Sequence, residues 1–380
     1  MRRIFLLFTI TAAMATTFSS CLKEPVDDGP GPGAGKTTYK YNWTAIADSS
    51  ASSLISNFYN QSSKYFNKNN AGDLTFNYWP NAHALDVLTD IYLRTGDAAV
   101  KSRMDELLDG MKAKNGNTYI NHFYDDMEWM TLACLRAYEA TSDDRYKTTA
   151  ELLWNDIKGG WDDTWGGGIY WNKDRQNKNT PANAPASIIA SRMYQLNRNG
   201  DDLAWAKKIY QWQKDNLVDP VTGLVWDGLD ATGTNKAWKF TYNQGVFIGA
   251  GVELYKITGE QTYIADALKT ANNSLAGDFS SGNIMKDEGG GDGGLFKGIL
   301  VRYMMLLITD GSLSSTDVAK FVSFLQLNGQ TMWLQGTSRP QVIYNTSWTK
   351  TATTTDLTTQ LSGAMLIEAV ARLKALELID

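Results

Sequence analysis

Residues 124–146, YDDMEWMTLACLRAYEATSDDRY, hold the unit from which the chain is built. An apolar stretch at helical spacing runs toward a Tyr near its end, and Thr141-Ser142-Asp143 then interrupts it. A second helical pattern, Tyr146 to Trp154, follows at once. The same punctuation returns at Thr95-Gly96-Asp97, Asn199-Gly200-Asp201, Thr258-Gly259-Glu260 and Thr309-Asp310-Gly311. Where the turn holds a Gly, it is expected to close the first helix at positive φ, and the acidic residue to cap the next or complement its positive end. The turns recur every 46 to 59 residues, a period that signals repeated two-helix units. With a first helix near 43–66 and a last near 356–378, the pattern predicts about twelve helices in six pairs.

Six helical hairpins either stack as an open solenoid or close into a ring. Gly- and Trp-rich loops at alternate junctions, 159–185, 219–239 and 280–294, favour closure. In a ring they gather at one end and build a cleft there. The expected fold is therefore all-α, an (α/α)6 barrel.

The 380 residues are 43% hydrophobic, enough for one large domain with a substantial core. A net charge of -5, with no Lys/Arg run beyond the extreme N-terminus, offers no field for a polyanion, so nucleic acid is excluded as a partner. The 13 Trp and 18 Tyr suit the faces of sugar rings as well as a protein core. Residues 1–20 have Arg2, Arg3, an apolar run from Ile4 to Ile10 and small residues before Cys21, the marks of a secretory signal. Phe18-Ser19-Ser20-Cys21 resembles a bacterial lipobox, which makes Cys21 the lipidated residue. Residues 21–40 contain EPVDDGPGPGAGKT and read as a Pro/Gly/Asp-rich tether, leaving 41–380 as a single domain. With Cys21 acylated, Cys134 is the remaining thiol, and no disulfide framework is expected. The expectation is an outer-membrane lipoprotein of the cell envelope, monomeric, touching the membrane through its lipid alone.

Only His83 and His122 are present, and no paired His or Cys spacing suits a metal. Neither a Gly-x-Ser-x-Gly turn nor a phosphate-binding loop occurs, since the glycines at 166–168 and 289–294 are not followed by Gly-Lys-Ser/Thr. No cofactor or metal is expected. His122, one turn before Asp125, is a candidate for orienting a carboxylate or a sugar hydroxyl, or for a structural role.

Carboxylates remain. Glycoside hydrolysis uses two, one protonating the leaving oxygen and the other attacking the anomeric carbon or activating water. Retention needs the carboxyls roughly 5–5.5 Å apart, inversion roughly 6.5–9.5 Å. Adjacent Asp125 and Asp126 at a helix start favour the shorter separation, although such pairs also serve simply as caps, as Asp143-Asp144 and Asp201-Asp202 illustrate.

The stretch already quoted, followed by WDDTWGGGIYW, NTPANAPASIIASRMY, TYNQGVFIGAGVELYKITGEQTYIADA and FKGILVRYM, resembles glycoside hydrolase family 76, the endo-α-1,6-mannanases, from about Asn42 to the C-terminus. The resemblance implies an (α/α)6 barrel, a retaining double displacement without metal, Asp125 as nucleophile, Asp126 as general acid/base, and α-mannan polysaccharide or oligosaccharide as substrate. In the same cleft, Trp79, Tyr124, Trp165, Trp171, Asn183, Tyr242, Asn243, Gln244, Asp292 and Lys297 are candidates for sugar contact, the rings by stacking and the polar groups by holding hydroxyls. Two other readings compete: a non-catalytic glycan-binding lipoprotein, and another sugar-active enzyme on this barrel, such as an unsaturated-uronyl hydrolase or an epimerase. Uronates call for Arg or Lys in the loops and epimerases for His; the loops offer few of the former, and the chain has two of the latter.

Overall fold

The computed structural model describes residues 39–380, and a compact unit extends from Asn42 to Asp380. The signal segment, Cys21 and all of the tether but its last two residues lie outside the described residues. Among the described residues, twelve α-helices alternate between two layers. The inner ones are α2 (Tyr78–Thr95), α4 (Tyr124–Thr141), α6 (Ala184–Asn197), α8 (Thr241–Thr258), α10 (Gly293–Asp310) and α12 (Leu357–Ala375). Each packs on the next and α12 packs on α2, so the ring closes. The outer ones are α1 (Trp43–Phe58), α3 (Ala98–Lys114), α5 (Asp144–Lys158), α7 (Gly200–Leu217), α9 (Gln261–Ser274) and α11 (Ser315–Gln335). The result is an (α/α)6 barrel, as expected.

The layers differ because their sequences do. In α12 every residue from Leu357 to Ala371 is buried, the pattern of a helix covered on all sides. By contrast, α5 buries only one stripe, Tyr146, Thr149, Ala150, Leu153, Trp154 and Ile157. Inner helices also come close at small residues. A Cβ on Gly245 of α8 would lie 2.8 Å from Leu300 Cα of α10, a distance no side chain tolerates without backbone movement.

The short turns join inner to outer helices. Gly96 and Gly259 take the left-handed conformation after α2 and α8, as expected of the Gly, while Asp97 and Asp143 cap α3 and α5 through their carboxylates. Two turns depart from expectation. In the third, Arg198 adopts φ 53° and Asn199 is the cap, so Gly200 already begins α7. In the fifth, Gly311 stays right-handed at φ -80° and Ser312 takes the positive φ, followed by Ser314 as the cap.

The first helix also ends earlier than expected. It stops at Phe58, and Tyr59–Asn60 pairs with Tyr65–Phe66 in a hairpin. Asn60 Oδ1 accepts the N–H groups of Ser62 and Ser63, a local turn that outcompetes continued helix.

All six long connections, from outer to inner helices, emerge at the inner helices' N-terminal end. The opposite end is filled by ion pairs: Arg302 reaches Asp86 and Asp90 at 2.7 and 2.8 Å, Arg136 bridges the same two carboxylates, and Arg192 meets Glu253 at 2.8 Å. A cavity of about 1220 Å³ opens among these groups, remote from the loops.

Candidate active site

Asp125 and Asp126 open the first turn of α4, at the floor of the loop-lined end. The loop from α5 to α6 runs antiparallel to the entry into this helix. Asn172 bridges Phe123, and the N–H of Tyr124 donates to Trp171 O at 2.9 Å. That register holds the Trp171 indole over the helix start, where Nε1 donates to Asp125 Oδ2 at 3.0 Å. Asp125 Oδ1 accepts the backbone N–H of Asp126, also at 3.0 Å. Among the described residues, Asp126 has a single donor, Asn121 Nδ2, at 3.2 Å.

These settings divide the pair. Burial raises the pKa of Asp125 to about 7; the Asp126 N–H and the Trp171 indole oppose the rise, and the charge of Asp227 adds to it. Burial raises Asp126 well above the ordinary carboxylate range, with the charges of Asp125 and Asp292 acting in the same direction. Asp125 is therefore the member that ionises first, and Asp126 the member that keeps its proton beside it.

Two further carboxylates face this pair. Asp227, in the loop before α8, accepts the Tyr242 hydroxyl at 2.8 Å and Asn243 Nδ2 at 3.0 Å on one oxygen. It is buried, and burial raises its pKa. Sequence reading passed it over, because WDGLD (226–230) lies in a loop with no helix start to mark it; only its neighbour on each side of the cleft gives it meaning. Asp292 sits just before α10 and accepts the Trp79 indole N–H at 3.1 Å. The Tyr242 ring stacks on Phe296 with centroids 4.0 Å apart, which leaves its hydroxyl aimed at Asp227.

Among the residues expected to touch sugar, Trp79, Trp171, Tyr242, Asn243 and Asp292 thus converge around the carboxyl pair. The others make different contacts in the structure. Asn183 and Gln244 are fully buried clamps for the loops that precede them. Asn183 Oδ1 accepts the N–H of Ile169 at 2.7 Å while its Nδ2 donates to Ile169 O at 2.9 Å. Gln244 grips Val225 in the same two-handed way, at 2.9 and 2.7 Å. Asn81 does this to Phe66 and Gln360 holds Tyr344 and Val342, so the device recurs around the ring. A loop that dips into the core needs partners for its peptide groups, and a side-chain amide supplies both a donor and an acceptor.

Tyr124 turns away and lies against Gly160, where a Cβ would stand 2.9 Å from its ring. Trp165 packs on the cluster of Trp212, Leu217 and Leu229, and its carbonyl accepts the Trp212 indole at 3.1 Å. Lys297 is buried beneath Trp348, 4.3 Å from the ring centroid, and donates to Thr346 O. Burial brings its pKa down to about 8. His122 is exposed and meets Asp174 at 3.2 Å rather than either carboxyl of the pair. Among the described residues, no group of three or more His, Cys, Asp or Glu side chains is arranged to hold a metal.

The sequence model of glycosyl hydrolase family 76 matches residues 42–376. The α-1,6-mannanase GH76A of Salegentibacter sp. HEL1_6 is similar in structure, with a TM-score of 0.85 and 43% identity over 88% of this chain and 100% of that one. That structure is of an inactive variant, with two consecutive aspartates replaced by alanine, in complex with α-1,6-mannotetrose. Two curated fungal relatives are mannan endo-1,6-alpha-mannosidases DCW1. The one from Candida glabrata is 30% identical over 156 residues, 37% of this chain and 35% of the relative. The one from Saccharomyces cerevisiae is 28% identical over 184 residues, 42% of this chain and 41% of the relative. The matched stretches therefore span less than half the length of these relatives.

Proposed function

The chain belongs to glycosyl hydrolase family 76, and from that premise we propose that it is a retaining hydrolase cleaving internal α-1,6-mannosidic linkages of mannan. The observation that carries this reading is the unequal setting of two consecutive carboxyls on the cleft floor. Asp125 receives two N–H donors, whereas Asp126 faces the charges of Asp125 and Asp292.

In the first step the Asp125 carboxylate attacks the anomeric carbon while Asp126 delivers its proton to the departing glycosidic oxygen. The C–O bond to the leaving sugar breaks as the ester bond to Asp125 forms. In the second, the Asp126 carboxylate takes a proton from water, whose oxygen attacks the same carbon and releases Asp125. Two inversions restore the α configuration. The helix start places partial positive charge beneath Asp125, which favours its ionised form. Asp227 and Asp292, fixed by Tyr242 and Trp79, are acceptors for sugar hydroxyls on either side of the reacting carbon, and the exposed face of Trp171 is a platform for a pyranose ring.

The test is incubation with linear α-1,6-mannan, sizing of products and NMR of the first-formed anomer. Shortening oligosaccharides with α anomer formed first are expected, with Asp125→Asn and Asp126→Asn each lowering kcat by at least about 10³-fold. Asp126→Asn should recover on substrates with good leaving groups, which need little protonation, and Asp125→Asn should not. A β anomer formed first, or full activity in either variant, overturns the mechanism; binding without cleavage leaves only a glycan-binding protein.

The enzyme is further proposed to be a monomer held at the cell envelope by lipid on Cys21. Supporting this is the lipobox-like FSSC (18–21). Cys21→Ser should move the protein from the membrane to the soluble fraction; a variant still in the membrane fraction defeats the anchor.

A further inference from the structure

Beside the cleft lies a second concavity, of about 280 Å³, that the mechanism does not use. Its walls come from three connections: Asn69 before α2, Gly290 before α10, and Asn345 to Asp356 before α12. It shares a wall with the cleft, since Gly290 stands two residues from Asp292, whose carboxylate holds Trp79.

The pocket is built, not a gap between loose loops. Asn70 and Thr355 exchange hydrogen bonds across it, Asn69 bridges Asp356, and Asp356 Oδ2 accepts the N–H of Gly291 at 3.1 Å. The groups left over are those that read hydroxyls. Asn69 uses its Oδ1 on the N–H groups of Ala71 and Asp73, which leaves its Nδ2 as donor. Asp356 uses Oδ2 on Gly291, which leaves Oδ1 as acceptor. The hydroxyls of Thr354 and Thr359 add groups that both donate and accept, and Ala71 and Ala352 supply small apolar faces for C–H surface.

The lining argues against charged ligands. No Lys or Arg lines the pocket, so an anion has no partner, and Asp356 is its one carboxylate, too few for a cation. A neutral polyol remains. The volume lies just under the roughly 300–1,000 Å³ of small-molecule sites, room for one pyranose ring and not a chain.

We infer that this pocket binds a single mannosyl unit branching from the mannan backbone while the backbone lies over Asp125 and Asp126. The inference rests on the mannanase reading and extends it: branched mannan is then engaged, not merely tolerated.

The test compares linear α-1,6-mannohexaose with the same hexaose bearing one mannosyl branch. Thr354 is exposed, and its hydroxyl makes no hydrogen bond within the described residues, so Thr354→Trp fills the pocket without removing a structural contact. Thr354→Trp is expected to lower the ratio of kcat/KM on branched to linear substrate at least tenfold. An unchanged ratio overturns the inference, including the case where both substrates lose equally, which would make the pocket part of the backbone track. If the wild type cuts neither substrate, the hydrolase reading fails by itself, and calorimetry with the same hexaoses decides the pocket. There, at least tenfold weaker binding of the branched hexaose by Thr354→Trp supports it, and equal affinities overturn it.

Discussion

The indole N–H of Trp171 donates to Asp125 Oδ2 at 3.0 Å, joining a loop tip to the first turn of α4. The same Trp is 36% exposed, so one side chain both presents a ring to the cleft and stabilises the ionised form of the first carboxyl to titrate.

Trp171→Phe keeps the ring and removes the donor. Loss of a hydrogen bond to the charged form raises the pKa of Asp125 further above about 7, so the acidic limb of the kcat/KM profile should move to higher pH, by up to about one unit. A limb that stays in place would show that the bond does not act on the ionisation of Asp125.

Asp227→Asn should act in the opposite direction. It removes a negative charge that opposes ionisation of Asp125, so the acidic limb should shift to lower pH. It also takes charge from the acceptor of Tyr242 and Asn243, and KM should rise. An acidic limb shifted upward would contradict the electrostatic role.

Asp125→Asn should stabilise the fold at high pH. A carboxyl whose folded pKa lies above its unfolded value of about 3.9 holds its proton more tightly in the folded state. Its contribution is therefore most favourable below that value and is lost as pH rises toward about 7. The amide has nothing to lose. The Tm of the variant should match the wild type near pH 4 and exceed it by roughly 2–4 °C at pH 8; a constant difference across that range would refute the burial argument.

Asn183→Ala tests the clamp. Removing the amide leaves the buried N–H and C=O of Ile169 without partners, at a cost of about 2–4 kcal/mol. Chemical denaturation should show that loss whether or not oligosaccharide is present. A variant of normal stability with KM alone raised would return Asn183 to the sugar.

The candidate site was legible in proportion to how local it is. Asp125 and Asp126 are neighbours at the start of an amphipathic helix, visible within residues 121–141, but the resemblance running from about Asn42 to the C-terminus was needed to tell them from the capping pairs Asp143-Asp144 and Asp201-Asp202. Trp171, 46 residues on, was recognisable as an aromatic in a Gly-rich loop, although its bond to Asp125 was not. The buried amides were ambiguous in the sequence for a physical reason: an Asn that clamps a peptide group and an Asn that holds a sugar hydroxyl offer the same donor and acceptor, and only the surroundings distinguish them.

By itself the sequence determined the paired helices and the short turns that join them, which follow from periodicity and backbone preference over a few residues; the long loops favoured closure over an open solenoid, and the two consecutive carboxyls were singled out by the family resemblance. The tertiary structure alone decided that Asp227 faces the pair from the loop before α8, that Asn183 and Gln244 bond the backbone, and that connections near residues 69, 290 and 356 line a second, open concavity. Those relationships depend on burial and on contacts across the ring. The field at a carboxyl is set by whatever low-dielectric surface and charges the closed barrel brings within a few ångströms, however distant along the chain.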